Sequence, residues 1–96
     1  LWKNMEYMMT GLKRLGFDLG NTQSAIIPIL IGNDNTALKM GKLIRSRGLY
    51  TQTVVFPGVA KGEARLRLSM MSEHTQKDMD IALEILSENG KKLGLI

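Results

Sequence analysis

Apolar residues recur at helical spacing over the first fifteen positions, at Leu1, Met5, Met8, Met9, Leu12 and Leu15, with Lys3, Asn4, Lys13 and Arg14 between them. That spacing predicts an amphipathic helix, and Gly16 is a natural stop for it. Asp18 to Ser24 is polar and predicts a loop with Gly20 and Asn21 as turn residues. Ala25 to Ile31 is an apolar run, the pattern of a strand buried on both faces. Pro28 within it has no N–H to give to a ladder, which predicts a strand at a sheet edge or one carrying a bulge.

Gly32 to Thr36 supplies a turn and a helix N-cap, after which Ala37, Met40, Gly41 and Ile44 fall along one helical face with Leu43 beside it. Gly48 ends that helix. Leu49 to Phe56 alternates β-branched or aromatic residues with polar ones and predicts a half-buried strand. Pro57-Gly58 breaks it, and Val59 to Gly62 forms a short connection. From Ala64 to Met70 the alternation is cleanest: Ala64, Leu66, Leu68 and Met70 point one way, Arg65, Arg67 and Ser69 the other. Thr75 with Asp78 three residues on has the form of a capping box, Asp replacing the usual Glu. The last helix turns Met79, Ala82, Leu83 and Leu86 inward and runs to Gly90 or slightly beyond.

The order is therefore α-β-α-β-β-α. It predicts the α+β class, a small and mostly antiparallel sheet with helices packed on one face. The 96 residues make one domain, 1–96, without room for a second. Leu1 opens directly into a helical pattern, which predicts a piece of a longer protein.

Composition narrows the function classes. Hydrophobic residues at 44% and charged residues at 23% are ordinary for a globular domain. With no cysteine there is neither a disulfide framework nor a thiolate metal site, which fits a cytoplasmic location. No apolar run approaches the roughly 20 residues of a membrane span, and Lys3 and Glu6 interrupt any signal-peptide pattern. The net charge of +4 is spread among interleaved acids, and aromatics are only 5%, so the pattern is that of solvated surface charge rather than a nucleic-acid platform.

Arg65 and Arg67 carry the strongest chemical signal. Two apart on one strand, they share the face opposite the apolar set. Arginine suits a carboxylate or phosphate because its planar fork donates two parallel hydrogen bonds and keeps its charge. Solvation, or pairing with surface acids, accounts for the same spacing equally well. His74, the only histidine, sits in a turn with no second imidazole, so no metal site is expected. No Gly-rich phosphate loop follows a strand, and Ser24, Ser46, Ser69, Ser72 and Ser87 lack a nucleophile elbow. The residues thus predict an anion-binding face and no catalytic residue in this chain.

The stretch Pro57-Gly-Val-Ala-Lys-Gly-Glu-Ala-Arg-Leu-Arg-Leu-Ser-Met-Met-Ser-Glu-His-Thr75 resembles the signature near the C-terminus of the α-oxoamine synthases. Ile26-Ile-Pro28 and Arg47-Gly-Leu-Tyr50 fall where that family places a strand and a helix-to-strand step. The resemblance runs from about Leu12 to Ile96. It implies the C-terminal small domain of a pyridoxal-phosphate enzyme of fold type I that condenses an amino acid with an acyl-CoA, releasing CoA and, in most members, CO2. It also implies that Arg67 binds the amino-acid carboxylate, that Arg65 supports it, and that Pro57, Gly58 and the residues to Ala60 line the substrate entrance. Holding the carboxylate would set the bond to be broken perpendicular to the cofactor ring. His74 and Thr75 match the pattern as a helix start.

Where this chain has Ala60, family members often carry a second proline, so the loop is expected to be less rigid here. The cofactor's lysine, aspartate and stacking histidine belong to the family's large domain, and none of the eight lysines here has a matching context. The resemblance therefore implies a chain inactive by itself, completed by a large domain of the same polypeptide, in a homodimer; from the composition, neither nucleic acid nor membrane is expected as a partner. The tail from Gly90 to Ile96 is similar to the ending of glycine C-acetyltransferases, and serine palmitoyltransferases end alike; glycine is the expected amino acid. A reading of a different class is a stand-alone anion-binding or regulatory module that uses the Arg65/Arg67 face.

Overall fold

The alternation in the third strand organises the molecule. In the computed structural model, which describes residues 2–20, 25–70 and 74–96, β3 (Ala64–Ser69) is the central strand of a three-stranded sheet ordered β1-β3-β2. β1 (Ile26–Gly32) and β2 (Gln52–Val54) both pair with it antiparallel. Ala64, Leu66 and Leu68 are buried, while Arg65 and Arg67 face the other way and are half-buried.

Three helices cover the buried face. α1 (Trp2–Leu15) packs on α3 (Gln76–Lys92), and α2 (Asp34–Ser46) packs on α3 and on all three strands. The core they close over includes Met5, Met8 and Leu12 of α1, Met40 and Ile44 of α2, and Met79, Ile85 and Leu86 of α3. The expected order α-β-α-β-β-α and the one-sided helical layer are both observed. Residues 21–24 of the expected first loop, and Met71, Ser72 and Glu73 of the motif, lie outside the described residues.

Local chemistry sets the boundaries. Asn33 caps α2 by accepting the Thr36 amide at 3.0 Å. Thr75 and Asp78 form the expected capping box, each side chain accepting the other's backbone N–H at 3.1 Å. All three helices end in the same device. The amides of Gly16, Gly48 and Gly94 bond back to Lys13, Arg45 and Lys91, and the next amides, those of Phe17, Leu49 and Leu95, reach Leu12, Ile44 and Gly90. That pair of bonds is the Schellman motif; it needs a left-handed residue, and each of these glycines has positive φ.

Three expectations change. The run Ala25 to Ile31 is fully buried on one face only: Ile27 and Ile29 are buried, whereas Ile26, Pro28 and Leu30 are half-buried on the arginine face. The strand expected over Leu49 to Phe56 shrinks to Gln52–Val54, because Leu49 is used in closing α2 and Val55 accepts the Gly58 amide in a turn. In the last helix Ile85 is buried and had not been counted, while Ala82 and Leu83 are only partly so.

Pro28 sits on an edge strand as its chemistry requires. The Leu30 amide points away from β3, to the Asp18 carbonyl at 2.8 Å. The Pro28 nitrogen, two residues back, faces the same outer edge, where no ladder bond is lost. A register shift between Leu30 and Gly32 adds the bulge as well.

Candidate functional site

The open face of the sheet places both arginines in cross-strand rows. Arg67 stands between Pro28 of β1 and Gln52 of β2, and Arg65 between Leu30 and Val54. Residues two apart on a strand are separated by about 7 Å, so the guanidinium groups occupy successive rows of one surface. Its other members are apolar or neutral, and that lowers the local polarity around both charges.

The two arginines are not equivalent. Arg65 is already engaged: its Nε donates to the Glu63 carbonyl at 3.1 Å and its Nη2 lies 3.6 Å from Glu63 Oε1. Its fork is therefore turned on its own strand, with a carboxylate partner at hand. Arg67 donates from Nη1 to the neutral Gln52 Oε1 at 3.2 Å. Among the described residues no acid lies within ion-pair distance of it. Pairing with a surface acid thus describes Arg65, and a half-buried cation with no acid partner among the described residues describes Arg67.

Pro57 and Gly58 lie in the loop joining β2 to β3. The Gly58 amide donates to the Val55 carbonyl at 2.8 Å, across a cis Phe56–Pro57 bond. Both residues are exposed, as is Phe56, over whose ring Lys61 Nζ sits at 5.1 Å from the centroid. The last row before this loop is Val54 with Arg65, so Arg65 stands between the loop and Arg67. His74 is on the other side of the molecule. It borders an apolar hollow at the end of the helical layer, with Met8, Leu68 and Met79 in its wall, and its carbonyl accepts from Asn4 Nδ2 at 3.0 Å.

Sequence reasoning missed Gln52. It is simply a polar position on a short strand, and only the register across the β2–β3 connection sets it opposite Arg67. It would have been found only by knowing which residue of the preceding strand faces Arg67, a register set by where the β2–β3 connection begins.

The chain offers no seat for an imine-forming lysine. All eight lysines, Lys3, Lys13, Lys39, Lys42, Lys61, Lys77, Lys91 and Lys92, are exposed, whereas a reactive amine needs a desolvated pocket. None of these lysines is placed to hold pyridoxal phosphate by an imine, and the arginine face offers donors suited to a small carboxylate or phosphate.

A family model described as aminotransferase class I and II matches residues 1–86. The chain is 50% identical over 95 residues to the 4-hydroxy-2,2'-bipyrrole-5-methanol synthase PigH of Serratia sp., covering 99% of this chain and 14% of that protein. It is 43% identical over 91 residues to a serine palmitoyltransferase of Bacteriovorax stolpii, covering 95% of this chain and 22% of the relative. With the 8-amino-7-oxononanoate synthase of Bacillus pumilus it shares 38% identity over 96 residues, all of this chain and 24% of the other. Among solved structures, the serine palmitoyltransferase of Sphingomonas wittichii superposes with a TM-score of 0.93 at 30% identity, over 99% of this chain and 24% of that one. A serine palmitoyltransferase solved with PLP gives a TM-score of 0.94 at 30% identity, again over 99% and 24%.

The fold and these matches define a small domain of the fold-type I, PLP-dependent aminotransferase kind. The chain belongs to the class I and II aminotransferase family, on its α-oxoamine synthase side. It spans about one seventh to one quarter of the length of the curated relatives it matches.

Proposed function

We propose that this chain is the C-terminal small domain of a pyridoxal-phosphate α-oxoamine synthase that condenses an amino acid with an acyl-CoA, and that Arg67 binds the amino-acid carboxylate. The observation that carries the reading is the guanidinium of Arg67, which among the described residues has a neutral partner in Gln52 and no acid, on a sheet face whose neighbouring strand positions are apolar or neutral. A carboxylate arriving there gains a charge-assisted, two-point contact in partly desolvated surroundings, where such contacts are strong. Fixing that end of the substrate fixes the orientation of its α-carbon, and orientation is a large part of what binding contributes to rate.

The cofactor belongs to a large domain of the same polypeptide, where it would supply an electron sink at the α-carbon. The chain described here is then inactive alone. Arg65, held by Glu63, supports the field of the site, and Pro57 and Gly58 edge the substrate's approach. Glycine as the amino acid follows from the tail Gly90 to Ile96, which is similar to glycine C-acetyltransferases. Among the described residues no helix is long and apolar enough to cross a membrane. A cytoplasmic homodimer is the assembly this reading expects.

The test is Arg67→Ala in the whole protein. The expected result is a loss of about 2–4 kcal/mol in kcat/KM for the amino acid, the usual loss when a charged pair loses one partner, with the KM for acyl-CoA unchanged. An unchanged kcat/KM would remove Arg67 from the site.

A further inference from the structure

We infer that Gln52 is a positioning residue that decides which edge of Arg67 receives the substrate and keeps that arginine's charge available; this rests on the carboxylate reading above. A guanidinium can meet a carboxylate end-on, through Nη1 and Nη2, or side-on, through Nε and Nη2. The amide oxygen of Gln52 takes one N–H of Nη1 at 3.2 Å, which anchors that end of the guanidinium and leaves the side-on edge, Nε and Nη2, as the one that no described residue engages. Pro28, on the opposite flank of Arg67 in the same row, presents a ring and no N–H, so it competes for nothing.

Arg65 shows the alternative within the same sheet. There the Nε and Nη2 edge is turned on Glu63, and the fork that Arg67 keeps open is spent. The difference between the two arginines is the charge of the acceptor beside each. A glutamate at position 52 would sit where the amide now does, hold the same nitrogen, and cancel the charge a substrate needs. A neutral amide orients without neutralising.

The experiment uses the whole protein and reads carboxylate recognition itself. Dissociation constants for glycine, alanine and serine are measured against those of their carboxamides, from the change in cofactor absorbance on titration. The quantity of interest is the preference for acid over amide in wild type, Arg67→Ala, Gln52→Glu and Gln52→Leu. We expect Arg67→Ala to abolish the preference and Gln52→Glu to reduce it about tenfold or more, the scale of one charge-assisted contact. Gln52→Leu, which frees Nη1 without adding charge, should reduce it less than Gln52→Glu does. Carboxamide binding lacks the charge pairing with Arg67, and its survival reports whether each variant is folded. If Arg67→Ala abolishes the preference and Gln52→Glu leaves it intact, the role of Gln52 is overturned and the carboxylate site stands. If neither changes it, the carboxylate reading falls, and the role of Gln52 with it.

Discussion

The ring of Phe17 occupies the space that a side chain at position 90 would need. A Cβ built on Gly90 would lie 2.7 Å from Phe17 Cζ and 3.2 Å from Cε1, with Ile96 Cδ1 at 3.3 Å. Phe17 is 6% exposed, and a buried ring of that size has little room to move. Gly90 is thus an interior residue of α3 that lets the chain leaving α1 pack against it.

Gly90→Ala sets two effects against each other. Alanine favours a helix interior over glycine by about 1 kcal/mol, and overpacking a core costs about 1–3 kcal/mol. With a ring atom inside 3.0 Å, the clash should win. Urea unfolding followed by circular dichroism should show a lower midpoint for the variant; a higher one would mean that Phe17 yields freely.

The capping box on α3 should be visible both in stability and in its pH dependence. Thr75→Ala removes the acceptor for the Asp78 amide, and such losses cost about 1 kcal/mol. Asp78 titrates below the usual aspartate value because it accepts the Thr75 backbone N–H, and then because of its bond with the Thr75 side chain. A carboxyl lowered by folding contributes stability above its unfolded pKa of about 4 and loses it as pH falls through the lower folded value. The gap in thermal midpoint between wild type and Asp78→Asn should therefore close below about pH 4. A gap that stayed constant with pH would separate the cap from the charge.

Tyr7 links α1 to α3 by donating its hydroxyl hydrogen to Asp80. That bond, followed by desolvation and the nearby Asp80 charge, raises the Tyr7 pKa. A group raised by folding gives stability that is complete below its unfolded pKa, about 10 for tyrosine, and lost as pH rises through the higher folded value. Tyr7→Phe should lower the thermal midpoint at neutral pH and leave a smaller deficit once the pH has risen through the raised folded value. An unchanged deficit there would assign the contact to packing alone.

How much of this was legible depends on the range of the interaction. The face assignments of Arg65 and Arg67, the Thr75 cap and the glycines that end α1 and α2 are local, and residue spacing carried them. The length of β2 was not, because Leu49 looks like a strand residue and instead completes the end of α2 with its amide bonded to Ile44 at 3.0 Å. Tyr50 likewise reads as strand-forming, yet it lies exposed beneath the Arg45 guanidinium, 5.3 Å from cation to ring centre. Most consequential was the partner of each arginine. Glu63 is two residues from Arg65 and could be guessed; Gln52 meets Arg67 only through a register that the connecting loop does not encode.

The central position of β3 also sets an order in time. β1 and β2 are both made before the strand that each must pair with, and they do not pair with each other. α1, the earliest of these six elements in the chain, packs on α3, the latest of them. A chain emerging from the ribosome N-terminus first therefore leaves β1 and β2 without their pairing strand and α1 without α3 until the final third of these residues has been synthesised. Collapse then comes late and nearly all at once, and until that moment the chain depends on staying apart from its neighbours.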